Sequence, residues 1–336
     1  MHYYCTLFDI NYLPNFLALY HSLASNSNKG LKIYAFCMDD KSFDYLSVYQ
    51  EDNQNEIICV RLSELKAHFP QLDEISKARS VVEFYFTCSP FICTYVFNME
   101  KTCPDVTYLD ADLRFFDSPE LIFNEIGKAS IAIIEHKFFG WGKRYLKYGR
   151  FNVGWVTFKN DSNGMACLAS WLNDCAEWCY DYYDEVGQRF GDQKYLDKWE
   201  RDFSQVKIIR QNGANLAPWN VGQYKITRDQ KGQISINKDP LVFYHYASFK
   251  KVDDFYTTSV SRYMTRPSVI LKKYIYKKYL DEVSVFSDHI NSYIQSDKAD
   301  IMKKNRTEVN QTNFRKRVTQ AFTSFRRWYF NDYIYK

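Results

Sequence analysis

Val106-Thr107-Tyr108-Leu109-Asp110-Ala111-Asp112-Leu113-Arg114-Phe115-Phe116 is the stretch from which the fold can be read. A short apolar, β-rich run ends in two carboxylates one residue apart and then turns apolar again. With Val106 to Leu109 as a buried strand, the period of two puts Asp110 and Asp112 at its carboxyl end, on the same side. That edge is where open α/β sheets bind ligands. Two carboxylates this close repel, so the pair calls for a cation, and oxygen ligands suit Mg²⁺ or Mn²⁺.

Upstream, the chain alternates strands and helices. Tyr3 to Phe8 reads as a strand, Pro14 opens a helix with Leu17, Tyr20 and Leu23 on one face, and Leu31 to Met38 reads as a second strand. A helix over 41–50 leads to a third strand at Glu56 to Leu62. Ser89 and Pro90 read as N-cap and first residue of a helix running to about residue 99. Downstream, Ala129 to Ile134 and Phe151 to Phe158 read as buried strands, 171–184 as an amphipathic helix, and Val206 to Ile209 as a short strand. Alternation of this kind predicts an α/β fold, Rossmann-like, with a mainly parallel sheet flanked by helices.

The composition excludes several classes. Aromatic residues make up 18% of the 336, which opposes disorder, and a net charge of +4 announces no nucleic-acid binder. The nine cysteines have no zinc-finger spacing and read as reduced, mostly buried thiols of a cytosolic protein. No apolar run approaches the roughly 18 residues of a membrane span. The N-terminus reads as a strand and not as a signal peptide.

Further candidates gather at predicted strand ends. Asp9, Asn11 and Asp39 fall where a nucleotide base and ribose could be held, although each residue type also caps turns and helices. Asn152 and Gly154 open a strand in a way that suggests close backbone approach to a ligand. Asp192 stands at a helix start.

Taken together, Tyr108-Leu109-Asp110-Ala111-Asp112, Phe151-Asn152-Val153-Gly154, Asp192-Gln193, and His245 with Lys251 six residues on resemble the GT-A fold glycosyltransferases. The closest likeness is to the retaining family 8 type, including bacterial lipopolysaccharide and capsule sugar transferases. The resemblance implies that Asp110, Asp112 and His245 hold Mn²⁺ or Mg²⁺ on the diphosphate of a UDP-sugar donor. It implies that Lys251, or Lys250 beside it, touches the phosphates and that Arg79 is a donor contact. Asn152, Asp192 and Gln193 would face the sugar. An amide at 193 is a poor nucleophile, which favours a front-side mechanism over a covalent intermediate. The family's closing His, Gly, Lys and Pro-Trp pattern is altered: Ser248 replaces the Gly, and Val252-Asp253 replaces Pro-Trp. The implied acceptor is a saccharide, free or lipid-linked.

Residues 1–261 read as the transferase domain and 262–336 as a basic, helical C-terminal appendage. The appendage holds sixteen Lys and Arg against seven Asp and Glu, +9, leaving −5 for the rest. Phe314, Val318, Ala321, Phe322, Phe325 and Trp328 fall on one helical face, while Arg315, Lys316, Arg317, Arg326 and Arg327 lie mostly on others. Such a helix suits an anionic membrane surface, or packing on its own domain. The location expected is the cytoplasm, peripheral to the membrane. Two other classes compete. A haloacid-dehalogenase-type phosphatase would want the Asp pair near the N-terminus and Thr or Val where Arg114 stands. A non-catalytic saccharide-binding scaffold would not need the Asp pair intact.

Overall fold

The chain begins as successive βα units. β1 (His2–Phe8) leads into α1 (Leu13–Asn26), β2 (Leu31–Cys37), α2 (Asp40–Val48) and β3 (Asn55–Arg61). Then α3 (Leu62–His68), α4 (Gln71–Ala78) and α5 (Val81–Met99) return the chain to β4 (Asp105–Leu109). The computed structural model describes residues 1–49, 55–297 and 323–335. Beyond β4 come β5 (Leu113–Phe115), α6 (Glu120–Ile126), β6 (Ile131–Glu135), β7 (Phe151–Lys159), α7 (Ser162–Glu177), α8 (Trp199–Asp202) and β8 (Val206–Ile209).

Seven strands form one sheet in the order β3-β2-β1-β4-β7-β6-β8. All run parallel except β7, which is antiparallel to both β4 and β6. The mainly parallel sheet flanked by helices is therefore present. Both faces are buried, so the strands read as nearly continuous apolar runs. Successive residues alternate between two cores: Cys5, Tyr34, Phe36, Tyr108 and Val156 pack with α5 and α7. Tyr4, Ile33, Ala35, Leu109 and Trp155 pack on the other side with α1 and α6.

Two helices begin earlier than the sequence suggests. α5 starts at Val81, not at Pro90, because Ser80 and Glu83 form a reciprocal capping box. Pro90 stands inside the helix, and Ser89 spends its hydroxyl on Asp192 Oδ2 at 2.9 Å. α7 starts at Ser162, with Asp161 accepting from the Gly164 amide at 2.8 Å, and ends before the aromatic cluster expected to continue it. Its end is set from outside. The Arg79 guanidinium takes the carbonyls of Cys175 and Ala176, both at 2.7 Å.

The remaining strands are short: β9 (Ile226–Arg228), β10 (Ile234–Ile236), β11 (Asp239–Pro240), β12 (Phe243–His245), β13 (Lys250–Val252) and β14 (Phe255–Thr257). β12 pairs antiparallel with β5, Leu113 opposite His245, which returns the far end of the domain to the Asp-x-Asp. A π-helical turn at Leu271–Tyr276 runs into α9 (Lys277–Asp297), which packs on α1. Arg114 donates to both oxygens of Glu282 at 2.7 and 2.8 Å, and Tyr246 stacks on Tyr279 at 3.6 Å.

Of the amphipathic tail, Phe314, Arg315, Lys316, Arg317, Val318, Ala321 and Phe322 lie outside the described residues. The helix at 323–330 is described, with Phe325 and Trp328 59% and 68% exposed. The segment after it is latched down: Ile334 bridges Tyr256, and buried Asp332 accepts from the Thr258 amide and hydroxyl and the Ser261 amide. Asp332→Ala leaves those donors unpaired, a loss of about 1–3 kcal/mol. The expected outcome is a lower urea midpoint together with faster proteolysis within 323–335.

Candidate metal and sugar-nucleotide site

The reversed direction of β7 builds the site. A strand running against its neighbours starts where they end, so Phe151 and Asn152 lie at the carboxyl edge that carries Asp110. The pairing of Leu109 with Trp155 then places Gly154 beside Asp110. From the other side, β12 delivers His245. One ligand atom from each of Asp110, Asp112 and His245 lies within 4.8 Å of the others. His245 Nε2 stands 3.1 Å from Asp112 Oδ1 and 3.6 Å from Asp110 Oδ2.

A hydrogen-bonded chain orients the imidazole. His245 Nδ1 lies 3.2 Å from Asn152 Oδ1, and Asn152 Nδ2 lies 3.5 Å from His136 Nε2. His136 Nδ1 faces the Arg150 carbonyl at 3.3 Å. Burial pushes His136 down to about 3, so it is neutral and accepts at Nε2. One polarity satisfies the whole chain: His136 donates to Arg150, Asn152 donates to His136, and His245 donates from Nδ1 to Asn152. The lone pair of His245 Nε2 then points at the two aspartates, as a metal ligand requires. Gly154 makes the turnback possible. Its amide donates to Asn152 Oδ1 at 3.1 Å, and a Cβ there would lie 2.6 Å from that oxygen and 2.9 Å from His245 Nδ1.

The charges are consistent with a cation site. Burial, together with the Asp112 charge and against the pull of His245, lifts Asp110 to about 6. Burial lowers His245, but the Asp112 and Asp110 carboxylates more than offset it and hold the imidazole above its usual value. Two carboxylates and one imidazole with open space beyond them fit Mn²⁺ or Mg²⁺.

The triad opens into a cleft of about 660 Å³. Asp110, Asn152, Asp192, Gln193 and His245 all line it. Asp192 is buried, its carboxyl pushed up to about 7 by burial despite the Ser89 hydrogen bond. Gln193 donates from Nε2 to the Tyr148 carbonyl at 2.9 Å. Residues not singled out from sequence complete the walls, among them His136, Trp219, Tyr145, Tyr148, Tyr263 and Arg262. Part of this wall is the segment after Glu135-His136, rich in Gly, Lys and aromatic residues, which folds as the 3₁₀ segment Gly140–Tyr148.

The other expected contacts are distributed differently. Asp9 Oδ1 accepts from the amides of Asn11 and Tyr12, while Asp39 caps α2 through Ser42 and accepts from Ile10 at 2.6 Å. These carboxylates fold their own loops at the same sheet edge, where the Asp112 charge, then burial, pushes nearby Tyr12 up to about 12. Arg79, expected as a donor contact, is outside the cleft lining and committed to α7, with Thr87 as a further partner. Lys250 and Lys251 sit exposed on β13, also outside that lining, whereas Ser248 lines it. Ser248 adopts φ +60°, the left-handed conformation most natural to glycine.

The chain has the GT-A fold. Its structure is similar to that of the galactosyltransferase LgtC in complex with donor and acceptor sugar analogs, with TM-score 0.51 and 13% identity, covering 84% of this chain and 95% of that one. That likeness is one of fold. In sequence, the chain is 27% identical over 303 residues to the uncharacterized protein YfnD of Bacillus subtilis, covering 87% of this chain and 94% of YfnD. It is 29% identical over 258 residues to the uncharacterized protein YfnF of the same organism, covering 74% and 82%. No family model matches the chain.

Isothermal titration with Mn²⁺ reads the triad directly. Asn152→Ala frees the imidazole to turn and is expected to weaken binding by about 10–100-fold. In the unsubstituted protein, affinity should fall as pH drops, first as His245, held above its usual value by the two carboxylates, takes a proton, and then through about 6 as Asp110 does. A pH-independent affinity would place the ion elsewhere.

Proposed function

We propose that the chain is a metal-dependent glycosyltransferase moving a hexose from a UDP-sugar to a saccharide acceptor with retention, in surface polysaccharide or lipopolysaccharide synthesis. One observation carries the reading. Asp110, Asp112 and His245 converge at a cleft that also holds Asp192, on a fold like that of a galactosyltransferase bound to donor and acceptor analogs.

A Mn²⁺ or Mg²⁺ ion in the triad would supply Lewis acidity to the donor diphosphate and neutralise charge growing on the leaving group. The chain's own part is placement. Asp192 and Gln193 hold sugar hydroxyls, while Asn152 acts through His245. Asp9, Asn11 and Asp39 shape the loops that receive base and ribose. Arg262 already lines the cleft, and Lys250 or Lys251 reaches the phosphates only when the β13–β14 hairpin folds inward. A carboxyl that keeps its proton up to about pH 7, beside an unreactive amide, makes a weak nucleophile. Transfer is therefore front-side, with the leaving phosphate taking the acceptor's proton.

UDP-sugar hydrolysis with Mn²⁺ tests the reading. The rate should drop by about a hundredfold or more in Asp112→Ala. Equal rates, or none in the unsubstituted protein, would leave a saccharide-binding scaffold instead.

The proposal includes a peripheral position on an anionic membrane, which would present lipid-linked acceptors. No helix among the described residues is long and apolar enough to cross a membrane. Support comes from Phe325, Trp328 and Tyr329, all more than half exposed, beside Arg326 and Arg327. Phe325→Ser/Trp328→Ser touches no core and should reduce co-sedimentation with phosphatidylglycerol vesicles. Unchanged recovery would refute attachment through this helix.

A further inference from the structure

A second cavity, about 540 Å³, shares no residue with the metal-site cleft. It is bounded by α1, β5, the β9–β10 turn and the start of α9. Three cations line it, Arg114, Arg228 and Lys278, against one carboxylate, Glu282. Arg114 and Glu282 neutralise each other through a bidentate pair. That leaves two positive groups, and among the described residues neither Arg228 nor Lys278 forms an ion pair.

Both are held where an anion would want them. The Arg228 guanidinium lies 4.3 Å from the Tyr274 ring centroid and passes 2.8 Å from where a Cβ on Gly232 would sit, so the bare turn gives it passage. Burial and then the Arg114 charge pull the Lys278 amine below its usual value, a strain that an incoming anion relieves. Ser25 and Gln233 add a hydroxyl and an amide to the same wall. A concave recess with surplus positive charge concentrates anions, and a guanidinium fork beside an ammonium suits phosphate oxygens.

We propose that this cavity binds a small phosphate monoester, with the phosphate between Arg228 and Lys278 and a hydroxylated frame against Ser25 and Gln233. The site goes beyond the transfer reaction and stands independently of it.

Titration calorimetry of the full-length, metal-free protein with sn-glycerol 3-phosphate is the test. Saturable binding is expected, weakened about tenfold or more in Arg228→Ala/Lys278→Ala, which removes both charge-assisted contacts to the phosphate. Both side chains are surface groups outside the transferase site, so Mn²⁺-dependent donor hydrolysis should be unchanged in the double variant. A parallel arm with phosphatidic acid vesicles, whose phosphate is also a monoester, separates the sources. Double-variant-sensitive binding to vesicles alone assigns the phosphate to a lipid headgroup, and to glycerol phosphate alone assigns it to a soluble ester. Absence of binding in both arms, or equal affinity in the double variant, overturns the proposal.

Discussion

The hydrogen bond between Asn152 and His245 is the interaction on which the site depends, and it exists because β7 runs against the rest of the sheet. A parallel strand in that position would present its carboxyl end at the ligand edge and carry Asn152 to the opposite side of the sheet. Reversal brings the strand's first residues to the Asp pair, and the missing Cβ of Gly154 leaves room for the amide to turn back. His245 then has one nitrogen occupied by protein and the other free. The carboxylates come from a strand end and the imidazole from β12, so three separate stretches of chain must register before any ion can be held.

Much of this was legible beforehand, for identifiable reasons. The sheet strands near Asp110 are buried on both faces, so they appear as uninterrupted apolar runs whose ends are sharp. β8 at Val206–Ile209 and β7 from Phe151 were located to the residue at their starts. Helix starts were less legible where two capping signals compete. Ser89-Pro90 has the look of an N-terminus, but Ser80 and Glu83 satisfy each other's backbone, and tertiary demand recruits Ser89 to Asp192. Short strands such as β9–β11 carry too few residues for any period to show.

Single polar residues divided according to what surrounds them. Asp110, Asp112 and His245 meet because the sheet edge and β12 converge. Asp9 is occupied by the amides of its own turn and Asp39 by the start of its own helix and the Ile10 amide, the capping and turn roles such residue types favour. Arg79 shows the limit of spacing as a guide. Its partners are carbonyls nearly a hundred residues further on, and nothing local announces the end of α7. Ser248 shows the converse. Its left-handed backbone is the one a glycine adopts most easily, so a serine at this position is compatible with a glycine-type loop path.

The pairing of Asp112 with Asp110 at the cleft has a kinetic consequence. An anion entering by itself meets the like charge of this pair, opposed by the Arg262 guanidinium in the cleft wall. A cation meets the opposite. Electrostatics alone therefore imposes an order of arrival, cation first or cation and anion as a neutralised complex, before any contact specific to a sugar is made.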